Sequence, residues 1–166
     1  MVKSKVIFLD VDGVLNSSRY IEKCWRKTGN SFFCYQVPFD VKCVKRLAKL
    51  VKKTGAMVVL SSTWRLDKIS YEIVAARLYE YGVIIADKTP YMNSDRGEEI
   101  AAWLKQNPSI SIDDVLIIDD DIEDIVTIFP ERNVVKTDFR TGFSYSNYLE
   151  AKSKLLGNTK LLEMCD

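Results

Sequence analysis

Short apolar runs rich in β-branched residues, separated by longer amphipathic segments, constrain the fold of this chain more than any other feature. Residues 6–9, 56–60, 83–86, 115–118 and 133–135 are too short for helices and mostly apolar at successive positions, the pattern of strands buried on both faces. Between them, residues 40–53, 69–81, 97–106, 121–129 and 146–156 carry helical spacing, and Gly55 and Gly82 stand where helix ends are expected. Such alternation predicts an α/β fold: a Rossmann-like three-layer sandwich around a central, mostly parallel sheet. No repeat or Pro/Gly-rich linker divides the 166 residues, so residues 1–166 read as one domain. Ligands of such sheets bind beyond the carboxyl ends of the strands, which makes the residue after each apolar run the one to inspect.

The first run ends in Asp10-Val11-Asp12-Gly13, two carboxylates that project to one side of an extended segment before a glycine turn. The fourth ends in Asp119-Asp120-Asp121, with Asp124 a helical turn beyond Asp120. A strand-end turn or a helix cap would also use such aspartates, Asp121 in particular. Converging carboxylates, however, repel unless a cation sits among them. The chain has no histidine, and its cysteines (Cys24, Cys34, Cys43, Cys165) have no metal-binding spacing. Oxygen donors select a hard cation, and Mg²⁺ suits phosphate chemistry. The cysteines read as free thiols in a cytoplasmic chain, with a Cys24–Cys34 disulfide as the open alternative. No apolar run is long enough to span a membrane, and a net charge of +1 gives no global pull toward polyanions. After the second run, Leu60-Ser61-Ser62-Thr63-Trp64-Arg65 offers hydroxyls and backbone N–H groups to a phosphoryl oxygen.

These pieces, in this order, resemble the haloacid dehalogenase (HAD) superfamily, whose first motif is D-x-D-G at the end of an N-terminal strand. The resemblance implies a Mg²⁺-dependent phosphomonoester hydrolase with Asp10 as nucleophile and Asp12 as general acid and base. Ser61 matches the second motif, with Ser62 beside it as a further phosphate-binding group. The acidic pair Asp119-Asp120 matches the fourth, which makes Asp10, Asp12, Asp119 and Asp120 the expected metal site and Asp124 a lesser candidate. The third-motif cation falls best on Arg96, in Asp95-Arg96-Gly97-Glu98-Glu99-Ile100; Lys88 and Lys105 are less well placed, and Arg65 is a weaker phosphate-site candidate. More narrowly, Leu60–Arg65, Arg96–Ile100 with Trp103-Leu104, and Thr141-Gly142-Phe143 resemble the phosphatase domains of RNA-repair proteins and, distantly, of polynucleotide kinase-phosphatase.

Between Asp12 and the second strand there is room for a flap, about residues 17–39, but not for a large cap domain. Capless members of the superfamily tend to take large substrates, which implies a phosphorylated partner such as a nucleotide or a nucleic-acid end. The flap interleaves Arg19, Lys23, Arg26 and Lys27 with Trp25, Phe32, Phe33 and Tyr35, a composition that can grip a nucleotide or simply pack on the core. Residues 40–53 place Lys42, Lys45, Arg46, Lys49, Lys52 and Lys53 on one helical face, an anionic-ligand surface or an ordinary solvated one. The rival readings are a phospho-accepting receiver-like domain and a non-catalytic binding module. A receiver would carry its acidic pair on the first strand, whereas here the pair comes late. The sequence does not speak to oligomeric state.

Overall fold

The computed structural model describes residues 4–29 and 39–157. Five strands form one sheet: β1 (Val6–Leu9), β2 (Met57–Leu60), β3 (Ile85–Lys88), β4 (Val115–Asp119) and β5 (Val134–Lys136). Their order is β3-β2-β1-β4-β5 and every pairing is parallel, the expected α/β architecture. Six α-helices accompany them among the described residues: α1 (Ser18–Thr28), α2 (Val41–Thr54), α3 (Lys68–Tyr79), α4 (Arg96–Gln106), α5 (Ile125–Ile128) and α6 (Tyr145–Leu156).

Alternating side chains of the central strand feed two separate cores. Ile7 and Leu9 pack with Val44 and Leu47 of α2, Val74 of α3 and Tyr148 of α6. Val6 and Phe8 face the other way, against Ile100 and Trp103 of α4 and Ile125 of α5. Phe8 meets the Trp103 ring edge-on, with centroids 5.2 Å apart. All four residues of β1 are fully buried, which explains why the first run shows no polar alternation. The result is a three-layer sandwich, with no cap domain among the described residues.

Register sets up the site. Leu9 lies opposite Leu60 on one side and Ile118 on the other. The ladder continues one step further, with Ser61 N–H donating to Leu9 O (3.0 Å) and Asp10 N–H to Ile118 O (3.1 Å). Asp10, Ser61 and Asp119 therefore emerge side by side from three adjacent strands at their carboxyl ends.

Three elements differ from expectation. β3 starts at Ile85 rather than at residue 83, because Val83 is used in closing α3: its N–H donates to Leu78 O (3.0 Å), just after Gly82 turns with φ 76°. The helix expected over 121–129 shrinks to Ile125–Ile128. Residues 121–124 serve the site instead, as Asp121 N–H donates to Asp119 Oδ1 (3.1 Å) and Asp124 turns to α4. Finally, the flap contains a helix. Ser17 caps α1 by accepting from Tyr20 N–H (3.2 Å), and Gly29 ends it with φ 62°. No residue of α1 is fully buried; Ser18, Tyr20 and Cys24 are half-buried and the rest of the helix is exposed. Phe32, Phe33, Tyr35 and Cys34 lie outside the described residues. Cys24 and Cys43 are free thiols. Among the described residues no helix is long and apolar enough to cross a membrane.

Candidate active site

Asp10 sits at the tip of β1, 4% exposed, and Asp119 ends β4 with no exposure at all. Carboxylate oxygens of Asp10, Asp119 and Asp120 lie within 4.8 Å of one another. The expectation that the first and fourth strand tips meet is thus met in the geometry. Burial pushes the Asp10 carboxyl above its usual range, against the pull of Arg96. Burial and then the neighbouring Asp10 push Asp119 up to about 7, and burial raises Asp120 as well. Three acids in this state cannot all be ionised without a compensating positive charge.

Part of that charge comes from Arg96, in the first turn of α4. Its Nη1 is 2.8 Å from Asp10 Oδ1 and 2.5 Å from Asp119 Oδ2. Burial works against the Arg96 charge, but Asp10 and Asp119 outweigh it and hold the guanidinium protonated. Asp124 anchors this turn rather than joining the acidic cluster: its Oδ2 accepts from Gly97 N–H at 2.7 Å, where Asp95 makes no side-chain cap. Gly97 permits the approach, since a Cβ there would come within 3.2 Å of Asp124 O. Lys88 instead lies over the Tyr71 ring, 5.0 Å from its centroid, on the edge strand. Lys105 is at the opposite end of α4 from Arg96.

Asp12 is exposed, and each of its oxygens has a donor. Asn16 Nδ2 donates to Oδ1 (2.7 Å) and Trp64 Nε1 to Oδ2 (2.9 Å). Gly13 turns the chain behind it with φ 69°, and a Cβ there would sit 2.3 Å from Asp120 Cγ, so only glycine lets Asp120 lie against the loop. Thr137, just beyond β5, donates its hydroxyl to Gly13 O (2.8 Å) and pins the turn.

On the β2 side, Ser61 Oγ and Ser62 Oγ are buried and neither finds a hydrogen-bond partner among the described residues. The Ser62 hydroxyl lies near enough to Asp10 to favour its carboxylate a little without a bond of full geometry. A buried hydroxyl without a partner costs about 1–3 kcal/mol, a penalty that an oxygen-rich ligand beside Asp10 would relieve. Arg65 does not face this ligand space. It is 5% exposed and braces the loop from beneath: Nη1 donates to Ser61 O (2.8 Å) and Ser62 O (2.9 Å), Nε to Thr89 O (3.0 Å), and Nη2 to Pro90 O (3.2 Å) and to Glu99 Oε2. Glu99 Oε1 accepts from Met92 N–H (3.0 Å). The pair ties the Ser61 loop to the helix that carries Arg96.

Asn16, Trp64 and Glu99 had no role in the sequence reading. Glu99 left a trace, as a carboxylate at an inward position of α4 beside Ile100 and Trp103 implies a buried partner. Asn16 and Trp64 left none, because Trp64 reaches Asp12 across 52 residues of chain.

The donor set suits a divalent hard cation: three aspartates from two strand ends, all oxygen ligands, whose carboxyls burial holds above their usual range, a shift that a cation would reverse. No curated protein and no solved structure matches the chain significantly. A family model described as the HAD domain in Swiss Army Knife RNA repair proteins matches residues 6–148, which include every residue of the cluster. The chain therefore belongs to this family of HAD domains.

Proposed function

We propose that the protein is a Mg²⁺-dependent phosphomonoesterase that works through an aspartyl-phosphate on Asp10. The observation that carries this reading is the meeting of Asp10, Asp119 and Asp120 beside buried hydroxyls that lack partners. Mg²⁺ held by Asp10, Asp119 and Asp120, with the backbone of Asp12 as a further donor, would neutralise phosphate charge during attack. Asp10 attacks phosphorus as the bond to the leaving oxygen breaks, and Asp12 gives that oxygen a proton. Asp12, now a carboxylate, takes a proton from water; the water attacks the phosphoryl group, frees phosphate and restores Asp10. Asn16 and Trp64 keep the Asp12 carboxyl aimed during both steps. Ser61, Ser62 and Arg96 would hold the equatorial oxygens, where transition-state charge spreads. The substrate is a large phosphorylated molecule, with a nucleic-acid end first in order of preference. The lack of a cap domain among the described residues supports this, as does the family's description in RNA repair.

Hydrolysis of p-nitrophenyl phosphate with Mg²⁺, and its loss on chelation, is the expected outcome. A protein inert toward that ester and toward phosphorylated oligonucleotides, mononucleotides, phosphopeptides and sugar phosphates would overturn the reading.

A pH-dependent metal effect should accompany it. The folded protein holds the Asp119 proton up to about pH 7, against 3.8 for an ordinary aspartate. For this group the stability of the metal-free protein is therefore greatest at low pH and is lost as pH rises from about 4 to about 7. Bound Mg²⁺ favours the ionised form and reverses the loss. Thermal melts should show a large rise in Tm with Mg²⁺ at pH 8 and little at pH 5. An equal shift at both values would place the ion elsewhere.

A further inference from the structure

We infer that the groove between α1, the start of α2 and the loop after β5 is a binding track for single-stranded nucleic acid leading to Asp10. Arg19, Lys23, Arg26 and Lys27 share one face of α1, at spacings i, i+4, i+7 and i+8, and line its wall. Arg140 faces them from the loop after β5. A second concavity of about 810 Å³ continues from the first, sharing Arg19 and Lys23, and adds Lys42 and Arg46 of α2 and the Tyr20 ring.

Cations on a convex helix face are ordinarily just solvated. Here three separate elements bring them to two adjoining hollows, with Arg46 also donating to Phe143 O (3.0 Å), and the four on α1 make no ion pair among the described residues. The acids present are Glu22 and Asp40, and Asp40 is occupied in capping α2 through Lys42 N–H (2.8 Å). A net charge of +1 over the whole chain makes this local excess a deliberate asymmetry rather than a general basicity. Converging positive charge calls for a polyanion, and a phosphodiester backbone supplies it at regular spacing. Tyr20 adds an aromatic face for a base.

The groove is also joined to the turn that carries Asp12 and Gly13. Ser17, which lines it, follows the Asn16 that holds Asp12. Ser18 N–H donates to Phe139 O (3.0 Å) and Arg19 N–H to Arg140 O (3.3 Å), which fixes the wall of the groove to the loop after β5. Thr137, at the start of that same segment, holds Gly13. A strand whose terminal phosphate reaches Asp10 would thus have its following phosphates directed along α1. This direction rests on the reading of Asp10 as a phosphatase nucleophile; the binding itself does not.

The test uses the full chain and an unphosphorylated, fluorescein-labelled single-stranded RNA of twelve nucleotides. Two variants change exposed side chains outside the catalytic machinery: Lys23→Gln/Arg26→Gln/Lys27→Gln on α1, and Arg140→Gln on the loop. The triple variant should lower affinity by roughly tenfold or more. It should also reduce the slope of log K against log salt by about 2, since each phosphate left without its cation takes about 0.7 from the slope. Arg140→Gln should reduce that slope by about 0.7. Hydrolysis of p-nitrophenyl phosphate should stay unchanged in both, while KM for a phosphorylated oligonucleotide rises. Wild-type binding that is absent, or unaltered in both variants, would overturn the track; so would stronger binding to phosphatidylserine vesicles than to RNA. RNA binding by a protein inert toward every phosphoester would sink the phosphatase reading and leave the track. Ester hydrolysis without RNA binding would do the opposite.

Discussion

Asp10→Asn should abolish turnover and leave the fold intact. The substitution keeps the shape of a side chain that is 4% exposed, so packing at the tip of β1 is undisturbed. What it removes is the attacking oxygen anion. Loss of a nucleophile that acts within a concerted set costs on the order of 10⁴-fold or more in kcat. Stability should not suffer. Asp10 is one of the charges that raise Asp119, so its neutralisation relieves repulsion, and Arg96 keeps its ion pair with Asp119. Steady-state assay with p-nitrophenyl phosphate, alongside a thermal melt, checks both halves. Activity within tenfold of wild type would remove Asp10 from the nucleophile's role.

Glu99→Gln should be the most destabilising single conservative change near the site. Arg65 and Glu99 form an ion pair in which the side chains are 3% and 6% exposed. Replacing the carboxylate by an amide leaves the guanidinium buried without its counter-charge, and breaking such a pair from one side costs about 3–5 kcal/mol. For a chain of this size that lowers Tm by roughly 10 °C. Catalysis should fall too, because the pair holds the Ser61 loop against the helix bearing Arg96. Urea denaturation at pH 7 measures the first effect. A loss under about 1 kcal/mol would mean that the carbonyls of Ser61, Ser62, Thr89 and Pro90 hold Arg65 without help.

The legible part of this molecule is what a parallel sheet makes regular. Val6–Leu9 and Val115–Asp119 announce buried strands by composition alone, and the rule that ligands gather at strand ends then singles out Asp10, Ser61 and Asp119. In-register pairing of β2, β1 and β4 turns that rule into contact. Arg96 followed from a family resemblance, and it does lie between the two acids. Arg65 shows where such reading ends. An arginine after Trp64 looks like a surface cation or a phosphate ligand, and its burial depends on carbonyls from residues 61–62 and 89–90 and on a carboxylate 34 residues away. No local pattern encodes that meeting. The segment 121–124 failed for a related reason. Its helical spacing is real, but Asp121 N–H and the Asp124 carboxylate are engaged by Asp119 and Gly97, and these bonds set the backbone in place of the helix. The same limit applies to Asp12, whose donors Asn16 and Trp64 come from the turn beside it and from the loop beyond β2.

The most direct measurement is to trap the phosphorylated protein. Wild-type protein mixed briefly with a phosphate ester and Mg²⁺, quenched in acid and mapped by mass spectrometry, should carry a phosphoryl group on Asp10, and the label should vanish on treatment with hydroxylamine. Turnover with the label on another residue, or with none on Asp10 under conditions where hydrolysis of the intermediate is slowed, would contradict the account.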